Sequence, residues 1–276
     1  MSKKEFWKDK VIIVTGAGSG IGLASARLFA ELGAKVVMAA RSYDVLRQEA
    51  AKMHNPDDIL CVKTDVSVED ECRNLIERTV ERFGKIDVLI NNAGISMRAM
   101  FNDLDLQVIH RLMDTNFYGT VNCTKFALPY LLQSHGSVVG VISIAGFNPL
   151  PARTGYSSSK YAIRGFLDTL RVEHLYDDLH VMVFSPGFTA SNIRNAALTA
   201  DGSQQGETPR DEGKMMTAER VAEYLEKGLR KRKNEMILTP TGRLYVALRK
   251  IMPRLADRLC FKYMAKEPNS PFGKKH

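Results

Sequence analysis

Long hydrophobic runs are missing from this 276-residue chain. No stretch of 18 apolar residues occurs, so no membrane-spanning helix is expected. The first ten residues hold four lysines and lack the apolar core of a secretory signal. Cysteine is scarce: Cys61, Cys72, Cys123 and Cys260 are scattered without metal-like spacing, and Cys61 and Cys123 have the apolar neighbours of core filler. No metal site is expected, and a reducing, cytoplasmic setting fits best. Internal repeats and low-complexity segments are absent. With 45% hydrophobic and 25% charged residues, the chain has the composition of a globular protein with a substantial core.

Acidic charge is thin at one end only. Residues 242–276 carry nine Lys/Arg against two Asp/Glu, which leaves thirty against twenty-nine in residues 1–241. A nearly neutral body argues against a nucleic-acid groove and makes the basic tail a separate question.

What is present is a strict alternation of short apolar runs with amphipathic helical patterns. Strands are expected at 10–15, 34–40, 59–64, 86–91, 137–143, 180–185 and 235–238. Helices are expected from the glycine turn to about Leu32, then at 42–54, 68–83, 104–133, 154–176 and 218–231. Continuous Val/Ile/Leu strands read as covered on both faces, and the alternation implies an α/β fold with a doubly wound parallel sheet of the Rossmann type. Residues 8–240 form that domain. Within it, the Gly-, Ser-, Thr- and Asn-rich stretch 187–215 is too long for an ordinary connection and reads as a lid. A helical extension, 241–276, follows.

The turn after the first strand runs Thr15-Gly16-Ala17-Gly18-Ser19-Gly20-Ile21-Gly22. Such a turn offers bare backbone amides at a helix N-terminus, where partial positive charge suits a pyrophosphate. Any tight strand-to-helix turn uses glycine, but the strand before it and the helix after it favour a dinucleotide site. The next strand ends Ala39-Ala40-Arg41-Ser42, without the acid that would bind a ribose 2′-hydroxyl. Arg41 suits a 2′-phosphate, with Ser42 adding a hydroxyl, so NADP is expected over NAD. The plainer alternative pairs Arg41 with Asp44.

Tyr156 and Lys160 lie four residues apart, on one face of the expected helix. A free phenol has a pKa of about 10, and drawing it toward neutrality needs roughly 4 kcal/mol. A cation about 4–5 Å away supplies on the order of that amount at an effective dielectric near 20. Taken alone, the spacing is better read as a surface tyrosine beside a solvated lysine, and only the rest of the chain overturns that.

Six signals in order resemble the short-chain dehydrogenase/reductase family: the Thr15–Gly22 turn, Asn91-Asn92-Ala93-Gly94, Asn116, Ser143, Tyr156-x-x-x-Lys160 and Pro186-Gly187. The resemblance covers about residues 8–240. It implies that Tyr156 is the general acid or base, that Lys160 lowers its pKa and holds the nicotinamide ribose, and that Ser143 binds the substrate oxygen. It implies a water relay at Asn116, whose alternative role is to pin a helix bend. Gly16, Ser19, Gly20, Ile21 and Gly22 would form the phosphate turn. Asp65 and Val66 would flank the adenine, Asp65 being otherwise a helix N-cap. Asn92, Ala93 and Gly94 would line the ribose, and Pro186, Gly187 and Thr189 the nicotinamide side. A homodimer or homotetramer, built on the 104–133 helix and the Tyr-bearing helix, is also implied. Phe126, Phe166 and Leu170 could serve it or face the sheet.

Expected substrate walls are Ile95, Ser96, Phe147, Pro149, Phe188, Ile193 and Met215-Met216, an apolar set that suits a lipid-like, aromatic or steroid-like carbonyl. Arg153 and Arg194 are the candidates for holding an anionic substrate group, but read more simply as surface charges. In the tail, Leu244, Leu248, Ile251, Leu255 and Leu259 recur among basic residues, and Pro253 should split two helices. The tail could dock near the active site, cross a subunit interface, or rest on an anionic membrane between residues 242 and 266. The expected activity is hydride transfer between NADP(H) and a carbonyl or alcohol. An NAD-linked oxidative enzyme and a silent dinucleotide-binding scaffold are the alternatives.

Overall fold

The computed structural model describes residues 2–189, 193–206, 208, 213 and 215–272. In chain order the elements are α1 (Lys3–Trp7), β1 (Val11–Thr15), α2 (Gly20–Glu31), β2 (Lys35–Ala40), α3 (Tyr43–Ala50), β3 (Ile59–Lys63), α4 (Glu69–Phe83) and β4 (Val88–Asn91). Then follow α5 (Leu106–Leu112), α6 (Gly119–Gln133), β5 (Ser137–Val141), α7 (Thr154–Glu173), β6 (His180–Ser185), α8 (Ala218–Arg230), β7 (Glu235–Ile237), α9 (Pro240–Ile251) and α10 (Pro253–Ala265).

The strands form one parallel sheet in the order β3-β2-β1-β4-β5-β6-β7. Strand alternation sends successive residues to opposite cores. Ile12, Val14, Val36, Met38, Met182 and Phe184 meet α2, α3 and α8, whereas Ile13, Val37, Leu89, Val138 and Val181 meet α4, α6 and α7. The doubly wound sheet expected from the sequence is therefore present. Its order reverses between β1 and β4, and the crevice beyond the strand ends at that point is where such folds bind ligands.

Two features depart from the expectations, and two more bear on alternatives left open. The 104–133 helix is interrupted by a π-helical turn, Met113–Tyr118, between α5 and α6. A short α1 precedes the sheet, closed by a capping box at Ser2, and its Trp7 donates to buried Glu226 at 2.9 Å. Of the three residues with two possible roles, Leu170 is buried in the core, and Phe126 and Phe166 are partly buried and pack against it on the sheet side. The tail does form two helices split at Pro253, as expected. Ala256, Cys260 and Met264 pack inward, while Leu244, Ile251, Leu255 and Leu259 face out. Docking near the catalytic cleft is thus the arrangement adopted.

The 187–215 stretch is partly tied down. Leu198 bridges Met97 and Gln204, and with Met97, Leu104, Val108 and Leu112 it forms a small core of its own. Within this stretch, positions 190–192, 207, 209–212 and 214 lie outside the described residues, as do 273–276 of the extension.

Candidate active site

Thr15 ends β1 and fastens it to β4. Its Oγ1 accepts from the backbone N–H of Asn92 and of Ala93, each at 3.0 Å, and Asn92 Nδ2 donates to Thr15 O at 2.8 Å. The glycine turn then passes so close to this knot that side chains do not fit. A Cβ on Gly22 would lie 2.3 Å from Gly16 O and 2.6 Å from Asn92 Nδ2, and Gly16 has φ +66°. Ser19 N-caps α2 without a side-chain cap bond. The opening of α2 therefore keeps the bare polar backbone that a pyrophosphate needs.

Along this turn runs a cleft of about 450 Å³ lined by Gly16, Ser19, Gly20, Ile21, Arg41, Ser42, Asp65, Val66, Asn92, Ala93 and Gly94. Gly22 lies behind it and shapes the turn. Arg41 makes no ion pair among the described residues, so the alternative pairing with Asp44 is not adopted. Asp65 Oδ1 accepts from Ser67 N–H at 3.0 Å and from its hydroxyl at 2.6 Å. It closes a turn and does not cap α4, whose N-cap is Val68.

A smaller cavity of about 150 Å³ continues past Ile21, Asn92 and Gly94 to Ser143, Tyr156, Lys160, Pro186, Gly187 and Thr189. Ser143 follows β5, accepts from Ala145 N–H at 3.2 Å, and faces the Tyr156 phenol across the cavity closely enough to lower its pKa. Lys160 is buried; its Nζ donates to Val141 O at 3.0 Å and sits 5.7 Å from the centre of the Tyr156 ring. Gly187 is packed so tightly that a Cβ there would meet Thr239 Cγ2 at 2.3 Å.

The electrostatics correct one expectation. Desolvation holds the Tyr156 phenol above its ordinary value, against the lowering effects of the Ser143 hydrogen bond and the Arg153 charge. Burial brings Lys160 down to about 8. Arg153, which reads more simply as a surface charge in the sequence, also lowers the phenol's pKa and lines the catalytic cavity with Arg194.

Asn116 lies in the π turn, fully buried behind Gly94. Its Oδ1 accepts from Ile95 N–H at 2.8 Å, while Nδ2 donates to Ile95 O at 3.0 Å and Ser159 Oγ at 2.9 Å. Ser159 Oγ in turn donates to Tyr156 O at 2.8 Å. This chain fastens the loop after β4 to the helix that carries Tyr156. It gives direct footing to the pinning role, and π turns recur at such places.

Of the expected walls, Ser96, Phe188 and Ile193 line the catalytic cavity and Ile95 lines the cleft. Phe147 is instead part of the core under α7, Met216 packs toward the other core, and Pro149 O accepts from Cys260 Sγ at 3.6 Å. Met215 is not among the lining residues. Leu150 and Met264 were missed as walls, and Thr15 and Ser159 as fasteners. The 256–260–264 spacing was the available signal for Met264. An adjoining apolar groove of about 440 Å³ leaves Ser143 and Phe188 between α9 and α10.

The family model for short chain dehydrogenase matches residues 10–201. The chain is a short-chain dehydrogenase/reductase. It thus belongs to a family of oxidoreductases that bind a nucleotide cofactor and small-molecule substrates. A Dictyostelium discoideum relative described as dehydrogenase/reductase SDR family protein 7-like is 36% identical over 265 residues, 93% of this chain and 82% of its own length. The 11-beta-hydroxysteroid dehydrogenase A of Sesamum indicum is 40% identical over 187 residues, covering 67% of this chain and 53% of its own. Among solved structures, a Thermococcus sibiricus alcohol dehydrogenase complexed with 5-hydroxy-NADP superimposes with TM-score 0.73 at 25% identity, covering 84% of this chain and 96% of its own. A Burkholderia phymatum short-chain dehydrogenase/reductase in complex with NAD gives TM-score 0.79 at 23% identity, covering 92% and 96%, a likeness of fold alone.

Proposed function

We propose that this short-chain dehydrogenase/reductase interconverts a carbonyl and an alcohol with NADP(H), and that Tyr156 is its general acid and base. The observation that carries this reading is a pair of adjoining hollows, one holding Tyr156, Ser143 and Lys160 and the other the glycine turn, that share Ile21, Asn92, Gly94 and Ile193 as walls. The cradle around Gly16 and Gly22 fits a dinucleotide, held also by Asp65, Val66, Asn92, Ala93 and Gly94, with Pro186, Gly187 and Thr189 toward its nicotinamide. When bound, the nicotinamide supplies or accepts the hydride. The Ser143 hydroxyl and the Tyr156 phenol meet where a substrate oxygen would be bound, so Ser143 orients that oxygen and Tyr156 delivers its proton. A phenol held above its ordinary pKa keeps its proton at neutral pH, the state in which it can act as the acid toward a carbonyl. Lys160 offsets the negative charge left on the phenol, and Asn116 positions both through Ser159.

Arg41 at the cleft edge, with Ser42, supports a 2′-phosphate and hence NADP. The mostly apolar groove between α9 and α10 supports a bulky, apolar or lipid-like substrate, and the 187–215 segment would serve as lid over a domain spanning 8–240. The exposed apolar and basic face of the 241–276 extension supports peripheral contact with an anionic lipid surface on the cytoplasmic side. A homodimer or homotetramer is proposed from the family resemblance.

A carbonyl and alcohol panel followed at the nicotinamide absorbance with both coenzymes tests the reading. Tyr156→Phe should lower turnover at least ~1,000-fold while NADPH still binds, the order expected when acid–base chemistry is removed. Arg41→Ala should weaken NADPH about tenfold or more and leave NADH nearly unchanged, a loss of roughly 1.4 kcal/mol. Near-parental activity in the phenylalanine variant would refute the assigned acid. An oxidative preference with NADH would favour the NAD-linked alternative, and inactivity on every compound would favour the scaffold.

A further inference from the structure

Beside the catalytic cavity lies a buried carboxylate supplied by the far end of the chain. Glu267, just past α10, places Oε2 3.3 Å from Arg153 Nη2 and 3.7 Å from Arg98 Nε. The side chains of Glu267 and Arg98 are each 6% exposed and that of Arg153 is 13%. Arg98 Nη2 also donates to Pro268 O at 2.6 Å. Three segments far apart in sequence therefore meet at one charge: the loop after β4, the residue before α7, and the tail. Two guanidiniums sharing one carboxylate in a dry setting depend on that carboxylate, since an uncompensated buried charge is strongly disfavoured.

The knot sits at the end of the helix that walls the substrate groove. α10 contributes Met264 to the catalytic cavity and Leu259, Cys260 and Tyr263 to the groove beyond it. Its own grip on the body is slight: Ala256, Cys260 and Met264 are its buried residues. Arg153, held by the same carboxylate, is part of the cavity wall.

We propose that Glu267 is a positioning residue of the active site, bridging Arg98 and Arg153 so that α10 stays latched over the groove leading to Ser143. A substrate large enough to fill the groove then depends on the latch for its binding, whereas a small carbonyl that reaches only Ser143 and Tyr156 feels it only through the Arg153 charge near the phenol, an effect common to both substrates that cancels in their ratio. The size preference rests on the catalytic reading above; the latch itself does not.

Glu267→Gln, which keeps shape and removes charge, tests it on the full-length protein with two readouts. Hydrogen exchange of the α10 amides should accelerate at least ~10-fold with β1–β6 unchanged, because local opening is governed by local contacts. The ratio of kcat/KM for 1-tetralone to that for acetone should fall at least ~10-fold, chiefly through KM. Arg98→Met should reproduce both changes, and Glu267→Asp, which retains the charge, should restore part of each. Unchanged α10 exchange would overturn the proposal. Faster exchange with an unaltered substrate ratio would reduce Glu267 to a structural anchor and overturn its positioning role. If the parent reduces neither ketone, the exchange readout still decides the latch, and the lack of turnover counts against the oxidoreductase reading alone.

Discussion

Burial pushes the titrations of Tyr156 and Lys160 in directions that leave each uncharged: the phenol rises above its ordinary value and the ammonium falls to about 8. At pH 7 the phenol therefore holds its proton and the lysine is still a cation, the pair of states that carbonyl reduction requires. As pH climbs through about 8, Lys160 loses its charge while Tyr156 remains protonated, so the phenolate formed on proton transfer loses its counter-charge. The reduction rate at saturating coenzyme should consequently be level below pH 7 and fall with a single-proton limb centred near 8. Stopped-time assays across pH 6 to about 9.5 would show it. Whatever turnover Lys160→Arg retains should lack that limb, because a guanidinium stays charged throughout. A level profile to pH 9 or so in the parent would separate Lys160 from the reaction. For stability the sign is the same for any buried base: below the folded-state value of about 8 the buried ammonium opposes folding, and the penalty disappears as pH rises toward the unfolded value near 10.4.

Among the elements, the glycine turn makes the sharpest mechanical demand. Gly22→Ala would drive a methyl into Gly16 O and Asn92 Nδ2, neither of which can retreat without loosening the Thr15 knot. Overpacking of this kind costs about 1–3 kcal/mol. NADPH affinity, read by fluorescence titration, should therefore weaken at least ~5-fold. Gly18→Ala is the control, since its nearest neighbour would be 3.7 Å away, and it should bind nearly as the parent does. These turns and the apolar strands around them were legible in the sequence because both the chemistry and the period of each segment are local. The π turn at Asn116 was not, since one extra residue in a helical turn leaves the apolar pattern on either side intact. Arg153 was misplaced for a different reason: its partner Glu267 is 114 residues away, and an arginine without a visible partner is assigned to the surface. In the tail, helical spacing identified an apolar stripe but could not say which face would meet the body. The small Ala256 and Cys260 side chains allow close approach, Met264 reaches the catalytic cavity, and the leucines were left more exposed.

At the scale of the whole molecule, that outward stripe coincides with the charge asymmetry. Leu244, Ile251 and Tyr263 are 69%, 80% and 55% exposed, and Arg254, Arg258 and Lys262 stand among them on α10. No helix among the described residues is long and apolar enough to cross a membrane. An apolar ridge fringed with cations instead suits the interface of an anionic bilayer, where buried apolar area and electrostatic attraction act together. The groove between α9 and α10 opens beside this ridge, so a lipid-soluble carbonyl could pass from the bilayer toward Ser143 without crossing water. The protein should co-sediment with vesicles containing phosphatidylserine and not with phosphatidylcholine alone. Raising salt should release it, because the screening length drops from about 10 Å at 0.1 M to about 3 Å at 1 M. Ile251→Asp should abolish the association while leaving NADPH binding intact, since Ile251 lies at the end of α9, outside both the cleft and the catalytic cavity. If the vesicles never bind and Ile251→Asp instead converts a dimer to a monomer in light scattering, the ridge is covered by a second copy of the chain, and the bilayer has no part in substrate entry.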